Sequence, residues 1–342
     1  SKKHQFSEAD REVLCNALLK QYADSGMLEK TSQGQIEQLR DTATFCITTG
    51  HQLNVATGPL YFIYKIIHAI NLARQLSEQL PDFNFVPIYW MASEDHDFEE
   101  INHFYSSGKK YHWFSEQTGA VGAFSTEGIQ PVLDAFFAQF SEGVHNTDLR
   151  ELLNRAYQFE TLAEATFYLV HHLFGSLGLL VVEPNNPVLK AQAVSLFKSE
   201  IKNQLVSTTV SAQAANLTAQ GYPLQVNPRP VNLFYLSDQR RDRIVQKPTG
   251  TYHALGTDLE WTADKLLLHI TDAPERFSPN VLLRPLYQEC ILPNIAYVGG
   301  GGEVSYWLQL KNTFDSFEVP FPVIVVRHSV VWVDDKIDRK RV

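Results

Sequence analysis

The residues with the clearest chemical potential form an acidic run around one histidine, SEDHDFEE, at positions 93–100. The run follows the apolar stretch FVPIYWMA (85–92), which has the composition of a buried strand. Carboxylates beside an imidazole can act as a general base, hold a metal ion or bind a substrate ammonium group. An acidic helix start is the alternative, because the helix macrodipole favours carboxylates there. We predict no metal, since no second His/Asp cluster with ligand spacing is present. The candidate catalytic residues are Glu94, Asp95, His96 and Asp97.

A second candidate site is the turn TTGHQLNVATGPLY (48–61), between the short strand-like run ATFCI and an amphipathic helical pattern. Glycines relax the backbone, and free N–H groups at a helix start attract anions. The functional interpretation is therefore a phosphate or nucleotide cradle, and the alternative is an ordinary turn with a helix cap. Neither GxGxxG nor GxxxxGK[ST] occurs in the turn. The candidate nucleotide-binding residues here are Thr49, Gly50, His51, Gln52 and Gly58.

A run of glycines also follows a predicted strand, in the segment VGGGGE (298–303). Consecutive glycines raise the entropy lost on folding, and they suit a backbone that approaches a ligand closely. A flexible loop is the alternative. The predicted nucleotide contacts are Gly299, Gly300, Gly301 and Gly302, with Glu303 in the following helical turn as a predicted substrate contact.

Basic residues are sparse near the predicted strand ends. Arg229 and Arg284 each stand beside proline, and a guanidinium in a rigid setting can bind a phosphate or carboxylate with two hydrogen bonds. Structural salt bridges are the alternative for both. Lys65, on the helix after the first strand, is interpreted as a solvated surface residue, whereas Arg327 after the last strand can reach the same sheet edge.

Five short apolar segments that alternate with helical patterns must position these groups. The predicted strands lie at 43–50, 85–92, 178–184, 294–300 and 322–329. Such segments are typical of a parallel sheet covered on both faces, so we predict an α/β, doubly wound Rossmann-like core within residues 1–342. N-terminal helices precede it, with Ser7 as an N-cap. Two inserted regions are predicted at 106–145 and 222–270. Ligands of such sheets bind at the carboxyl ends of the strands, where all the candidate motifs lie.

Composition limits the classes of function. The net charge of −9 argues against a large nucleic-acid surface, and no apolar run approaches the length of a membrane span. Cys15, Cys46 and Cys290 form no CxxC pair, so we expect reduced thiols in a cytoplasmic protein. Cys46 lies inside a predicted strand and is interpreted as a core residue.

Several long motifs together resemble one family, the bacillithiol biosynthesis cysteine-adding enzymes (BshC). They are TTGHQ…TGPLYFIYK, PIYWMASEDHDFEEINH, FSPNVLLRPLYQE, LPNIAYVGGGGEVSYWLQLK and PFPVIVVRHS, and they span residue 40 to the C-terminus. The resemblance implies a core related to class I aminoacyl-tRNA synthetases and nucleotidyltransferases, with two connecting-peptide insertions. It also implies a cytoplasmic ligase that joins the carboxylate of cysteine to the amine of glucosaminyl-malate, with ATP or another nucleotide activating the cysteine.

Two departures from the family pattern bear on these expectations. Family members form homodimers through a coiled coil after the last strand, and we expect that element to be missing from this chain, whose sequence ends at Val342. The family commonly has Gln where His51 stands, so His51 need not be catalytic.

The alternative function is a nucleotide- or thiol-binding module without independent turnover. A tRNA synthetase is disfavoured by the charge and by the lack of a KMSKS-like loop.

Overall fold

The computed structural model describes residues 6–141, 143–331 and 333. Its α-helices are α1 (Glu8–Asp24), α2 (Lys30–Gln38), α3 (Tyr61–Gln79), α4 (Phe98–Ile101), α5 (Gln130–Phe137), α6 (Val144–Ala156), α7 (Leu162–Phe174), α8 (Pro187–Gln192), α9 (Val194–Asn203), α10 (Leu205–Ala219), α11 (Ala263–Asp272), α12 (Arg284–Ile291), α13 (Gly301–Trp307) and α14 (Lys311–Ser316). Its strands are β1 (Thr44–His51), β2 (Asn84–Met91), β3 (His103–Ser106), β4 (Lys109–His112), β5 (Leu180–Val182), β6 (Leu233–Ser237), β7 (Arg240–Gln246), β8 (Tyr252–Ala254), β9 (Glu260–Trp261), β10 (Phe277–Pro279), β11 (Asn294–Gly299) and β12 (Val323–Val326).

The five predicted apolar strands form one sheet in the order β12-β11-β1-β2-β5, and every pairing in it is parallel. The first strand is central, with the second and third on one side and the fourth and fifth on the other. The α/β class and the Rossmann-like core are therefore confirmed. The strand order reverses between β1 and β11, and such a switch point leaves a crevice at the carboxyl ends of the two strands.

Both faces of this sheet are covered, because successive residues of a strand point to opposite sides. Phe45 and Ile47 belong to a small core against Ala69 and Ala73 of α3. Cys46, between them, belongs to the large core on the other face, which confirms its interpretation as a core residue. This double coverage explains why the strands are almost wholly apolar.

The N-terminal helices pack as a unit before the sheet begins. The Ser7 hydroxyl accepts a hydrogen bond from Asp10 N at 3.1 Å, and the Asp10 carboxylate accepts one from Ser7 N at 3.1 Å. This capping box confirms Ser7 as the N-cap. The buried Arg11 donates to the carbonyl oxygens of Leu39 (2.8 Å) and Thr44 (3.0 Å), which ties α1 to the start of β1.

The helical pattern after β1 predicts a helix with Pro59 at its first position, but α3 begins at Tyr61. Ala56, Thr57 and Gly58 have φ values of 49°, 71° and 60°, so the chain cannot be helical there. The pattern VSYWLQLKNTFDSF (304–317) predicts one helix before β12, but a 3₁₀ turn at Leu308–Leu310 separates α13 from α14.

The two predicted insertions contact each other. The first contains most of the β3–β4 hairpin and all of α5, and the second contains most of an antiparallel sheet, β10-β6-β7-β8-β9. That sheet extends past residue 270, because β10 pairs with β6. The Thr118 hydroxyl donates to Gln239 O at 2.8 Å, which joins the two regions.

Among the helices that the structure describes, none combines the length and apolar character needed to cross a bilayer. The expectation of a missing coiled coil concerns the chain end, and residues 334–342 lie outside the described part.

Candidate active site

A cavity of about 1000 Å³ opens at the carboxyl ends of β1, β2 and β11. It is bounded on the opposite side by the second insertion and by the segment after it, which contributes Pro279, Asn280, Val281 and Arg284. Most of the predicted site residues line this cavity, although they come from five separate stretches of sequence. These lining residues are Gly50, His51, Gln52, Glu94, Asp95, His96, Asp97, Arg229, Arg284, Gly300, Gly301, Gly302 and Glu303.

Three predicted contacts do not line the cavity, and their direct role is corrected. The Thr49 hydroxyl is buried and donates to Val298 O at 2.8 Å, so it joins β1 to β11. Gly58 donates its N–H to Val55 O at 2.9 Å, and a Cβ there would lie 2.5 Å from the Cβ of Asn54. Gly299 is packed too, because its Cβ would lie 3.2 Å from the Cβ of Glu303. These residues shape the turns rather than contact a ligand.

An ion pair beneath the glycine loop holds that loop in place. Glu303 Oε2 lies 2.5 Å from Lys65 Nζ and accepts from Gly300 N at 2.8 Å, while Oε1 accepts from the Tyr297 hydroxyl at 2.7 Å. Lys65 also donates to Gly50 O. The interpretation of Lys65 as a solvated residue is therefore wrong, since its side chain is only 4% exposed. The pair fastens the loop after β11 to the end of β1.

The charge of Glu303 follows from these contacts. Burial raises the pKa of the Glu303 carboxyl. The charge of Lys65 and the hydrogen bonds from Lys65, Gly300 N–H and the Tyr297 hydroxyl lower it by a larger amount, so the net pKa lies below its ordinary value. Both oxygens have donors already, which suits a positioning role better than the predicted substrate contact. Gly301 and Gly302 differ, because a Cβ on either would meet no described atom within 4 Å. Their backbone is the part of the loop open to a ligand.

His51 is a neutral side chain at the mouth of the crevice. Its ring stacks on Tyr61 with centroids 5.5 Å apart, and its Nδ1 lies 3.2 Å from the carbonyl oxygen of Gln52. Burial, with a further contribution from the Lys65 charge, lowers the pKa of His51 to about 4. A weak base of this kind is suited to hydrogen bonding rather than to proton abstraction at neutral pH.

Gln52 links the first motif to the acidic cluster. Its Nε2 donates to Asp95 Oδ2 at 3.0 Å and to Glu100 Oε2 at 2.8 Å. The other Asp95 oxygen accepts from His96 N at 2.8 Å. Asp95 is therefore held by one residue from the loop after β1 and by its own neighbour, which orients the whole turn after β2.

The other members of the cluster differ in how many partners they have. Glu94 forms a buried ion pair with Lys190, whose side chain is fully buried. His96 Nδ1 lies 2.8 Å from Arg241 Nη1. Because a guanidinium only donates, this contact requires an unprotonated Nδ1. The Asp97 carboxylate is 58% exposed and makes no hydrogen bond to any residue in the described part of the chain. Asp97, whose Oδ1 lies 3.9 Å from His96 Nε2, is thus the least constrained carboxylate of the cluster.

A cation site at this turn is disfavoured by the charges around it. Asp95, His96 and Asp97 could each offer one ligand atom, with the three atoms within 4.8 Å of one another. However, Arg241 Nη1 lies 2.8 Å from His96 Nδ1 and 4.0 Å from Asp95 Oδ1. Its side chain is only 8% exposed, so this fixed positive charge would repel a metal ion. This arginine therefore disfavours a metal ion at these three residues.

Comparison with known proteins identifies the family. The family described as "Bacillithiol biosynthesis BshC, N-terminal Rossmann-like domain" matches residues 1–328. This chain belongs to the BshC family. A Flavobacterium johnsoniae protein named "Putative cysteine ligase BshC" is 43% identical over 336 residues, covering 98% of this chain and 63% of the relative. A protein of the same name from Flavobacterium psychrophilum is 44% identical over 342 residues, covering 99% of this chain and 64% of the relative. The BshC chain described here thus spans less than two thirds of the length of these relatives.

Arginines from outside the parallel sheet complete the cavity of this BshC chain. Arg284 lies over the rings of Trp90 and Tyr297, at 5.6 Å and 5.7 Å from their centroids. Its Nη1 donates to Gln288 at 3.0 Å, while its buried Nη2 has no hydrogen-bond partner among the described residues. The salt bridges of the described residues include none to Arg284 or to Arg229, so the salt-bridge alternative fails for both.

Sequence reasoning missed several residues that build this BshC site. Lys190, Arg241 and Arg243 lie in segments interpreted only as a helix or as turn-rich strands. Their burial depends on contacts with residues far away in sequence, such as Glu94 with Lys190. A faint signal existed for Arg241, which lies in the charged hairpin SDQRRDR (237–243). Nothing local distinguished it from its exposed neighbour Arg240.

Proposed function

We propose that this chain carries the active-site domain of a cysteine ligase of bacillithiol biosynthesis. The reaction joins the carboxylate of cysteine to the amine of glucosaminyl-malate. Family membership and the names of the relatives support the activity. The observation that carries the proposal is the charge of the cavity. Six basic side chains and four carboxylates line it in a protein of net charge −9, which favours anionic ligands. The basic residues are Lys65, Arg229, Arg241, Arg243, Arg284 and Arg327.

A nucleotide is proposed as the activating co-substrate. A free carboxylate and an amine do not condense in water without activation, and ATP or another nucleotide supplies it by forming an acyl-adenylate or an acyl-phosphate of cysteine. We place the nucleotide in the crevice between β1 and β11, the switch point where ligands of such sheets bind. Gly50, His51 and Gln52 line one side, and Gly300 to Gly302 line the other. The open flanks of Gly301 and Gly302 permit close approach of a phosphate or ribose.

The acidic turn after β2 is proposed to receive the amine. Asp97 takes a proton from the attacking amine as the C–N bond forms, and the bond from the cysteine carbonyl carbon to the activating group breaks. General-base catalysis of this kind contributes typically about 10²- to 10⁴-fold. Asp95 and His96 orient the turn through Gln52 and Arg241. Glu94 is neutralised by Lys190 and therefore holds the turn rather than moving a proton.

Carboxylates of glucosaminyl-malate are proposed to bind Arg284 and Arg229. Both guanidinium groups line the cavity, and neither has a carboxylate partner within the described residues. Charge-assisted bonds to a planar guanidinium are strong and directional, which suits a dicarboxylic substrate. The family resemblance further supports a cytoplasmic location for this chain, and it implies that family members form homodimers through a coiled coil.

A second candidate function is ligand binding without independent turnover. It is favoured by one observation, that the chain covers only 63–64% of the length of its relatives. A reaction that needs groups from the remainder of such a protein would leave this part able to bind nucleotide and thiol but unable to form the amide.

The test supplies the purified protein with cysteine, glucosaminyl-malate and ATP, and follows bacillithiol by mass spectrometry. A full-length relative serves as the positive control. Product that disappears in Asp97→Asn, with binding retained, supports the ligase. Ligand-dependent thermal shifts without product support the binding module. If the control forms bacillithiol while this protein forms no product and binds no ligand, both proposed functions are contradicted.

A further inference from the structure

One wall of the cavity is an irregular segment, residues 221–231, which we call the strap. It connects α10 to β6 and contains no helix or strand. Gln225, Val226, Asn227 and Arg229 of the strap line the cavity. Prolines at 223, 228 and 230 fix φ at three positions, so the strap has few conformations to choose between once it is anchored.

One end of the strap is held by a single buried side chain. Gln309, which is 1% exposed, lies in the 3₁₀ turn directly after α13. Its Oε1 accepts from Gln225 N at 3.1 Å and from Val226 N at 3.2 Å, and its Nε2 donates to Val226 O at 3.1 Å. The amide thus satisfies three backbone groups, as a neighbouring strand would.

The other end of the strap is held by a separate network. Asn232 Nδ2 donates to Arg229 O at 2.7 Å and to Glu200 Oε1 at 2.8 Å. Asn280, which lines the cavity, donates to Asn232 Oδ1 at 2.7 Å. Arg229 therefore lies between two fixed points, while its own side chain has no carboxylate partner within the described residues.

We propose that Gln309 is a positioning residue that holds the strap so that Asn227 and Arg229 meet a carboxylate-bearing ligand. The inference rests on the proposed function for the identity of that ligand. Helix α13 carries the open Gly301 and Gly302 at its start, and Gln309 follows its end. The seven-residue helix is about 10 Å long. One short helix therefore sets both the glycine loop and the strap, which line the same cavity.

The first test needs no substrate. Gln309→Leu keeps the side-chain volume but removes the acceptor and the donor, so the amides of Gln225 and Val226 should exchange with solvent about tenfold faster. Gln309→Glu keeps the acceptor and should show a smaller change. Gln213→Ala is the matched control, because Gln213 contacts Leu308 O and Asn312 but not the strap. Unchanged exchange of the two amides in Gln309→Leu would overturn the proposal that Gln309 holds the strap. If that variant exchanges faster throughout the chain, the decision passes to Gln309→Met, a flexible apolar side chain of similar size, in which the same two amides must exchange measurably faster than in the wild type.

The second test asks whether Gln309, by holding the strap, affects substrate binding. Arg229→Gln and Gln309→Leu should each raise KM for glucosaminyl-malate by about five- to tenfold, with kcat within about twofold of wild type. If Gln309 acts through Arg229, the double variant should match the single variants rather than multiply them. Multiplied effects, or an unchanged KM, overturn the positioning role. A wild-type protein without ligase activity defeats the proposed function, while the exchange result still decides whether Gln309 holds the strap.

Discussion

The two walls of the cavity are built on different electrostatic principles. The inner wall, formed by the strand ends and α3, contains two close ion pairs, Lys65 with Glu303 and Glu94 with Lys190, and leaves Asp97 exposed. The outer wall, formed by the strap, the antiparallel sheet and the start of α12, presents Arg229, Arg243 and Arg284, which have no carboxylate partner within the described residues. A charge that already has its partner holds the fold, whereas one that lacks a partner is available to a ligand.

The largest expected effect concerns the inner wall. Lys65→Met should lower the free energy of unfolding by about 3–5 kcal/mol, because it leaves the Glu303 carboxylate without its cation in a largely buried site. Urea denaturation measures the change. Lys247→Met is the control, since the Lys247–Glu260 pair is exposed and should change stability by less than about 1 kcal/mol. Equal losses in the two variants would remove the distinction between the walls.

The outer wall should respond in the opposite way. Arg284→Met removes a buried charge with an unsatisfied donor, so the melting temperature should stay the same or rise. Affinity for an anionic substrate should nevertheless fall by about 10- to 100-fold, as expected for loss of a charged hydrogen bond. Calorimetric titration checks the affinity. Arg276→Met, which lies outside the cavity and pairs with Asp238, should leave affinity unchanged. A destabilised Arg284→Met with normal affinity would show that the outer wall is structural.

The pH dependence separates His51 from the paired charges. Its pKa is lowered to about 4 in the folded protein, below its ordinary value near 6.5. The unfolded chain therefore binds a proton first as the pH falls, and the stability that His51 contributes is complete above pH 6.5 and is lost on the way down to pH 4. Between pH 7 and pH 5 the wild type should lose on the order of 1–2 kcal/mol more than His51→Gln. Parallel pH profiles for the two proteins would contradict the buried, neutral histidine.

The smallest expected change in stability is at the glycine loop. Gly301→Ala should leave the free energy of unfolding unchanged or raise it by up to about 1 kcal/mol, since a Cβ there meets no described atom and alanine favours helix. Nucleotide affinity should fall, because the methyl group would occupy the ligand's approach. Gly299→Ala is the matched comparison, as its Cβ would press on Glu303 and Tyr297. Lost stability in both variants would show that the whole loop is packed against protein.

The sequence predicted the inner wall better than the outer wall, for physical reasons. Strand composition and the glycine and acidic motifs reflect local requirements, so all five parallel strands and three of the motifs were recognisable. Strand order was not, because the pairing of β1 with β11 joins residues some 250 positions apart. Lys65 was misread since helical periodicity places it beside apolar residues without revealing that Glu303 would neutralise it. Arg241 and Gln309 matter only through distant partners, which no local pattern records.

The most direct test of the two-wall account is a crystal structure of the protein with a non-hydrolysable ATP analogue and cysteine. The account predicts ligand density in the crevice between β1 and β11, with phosphate or carboxylate oxygens beside Gly301, Gly302 and an outer-wall arginine. Lys65 and Glu303 should keep their contact, 2.5 Å apart without ligand. Ligand bound only outside this cavity, or Lys65 leaving Glu303 to bind it, would contradict the account.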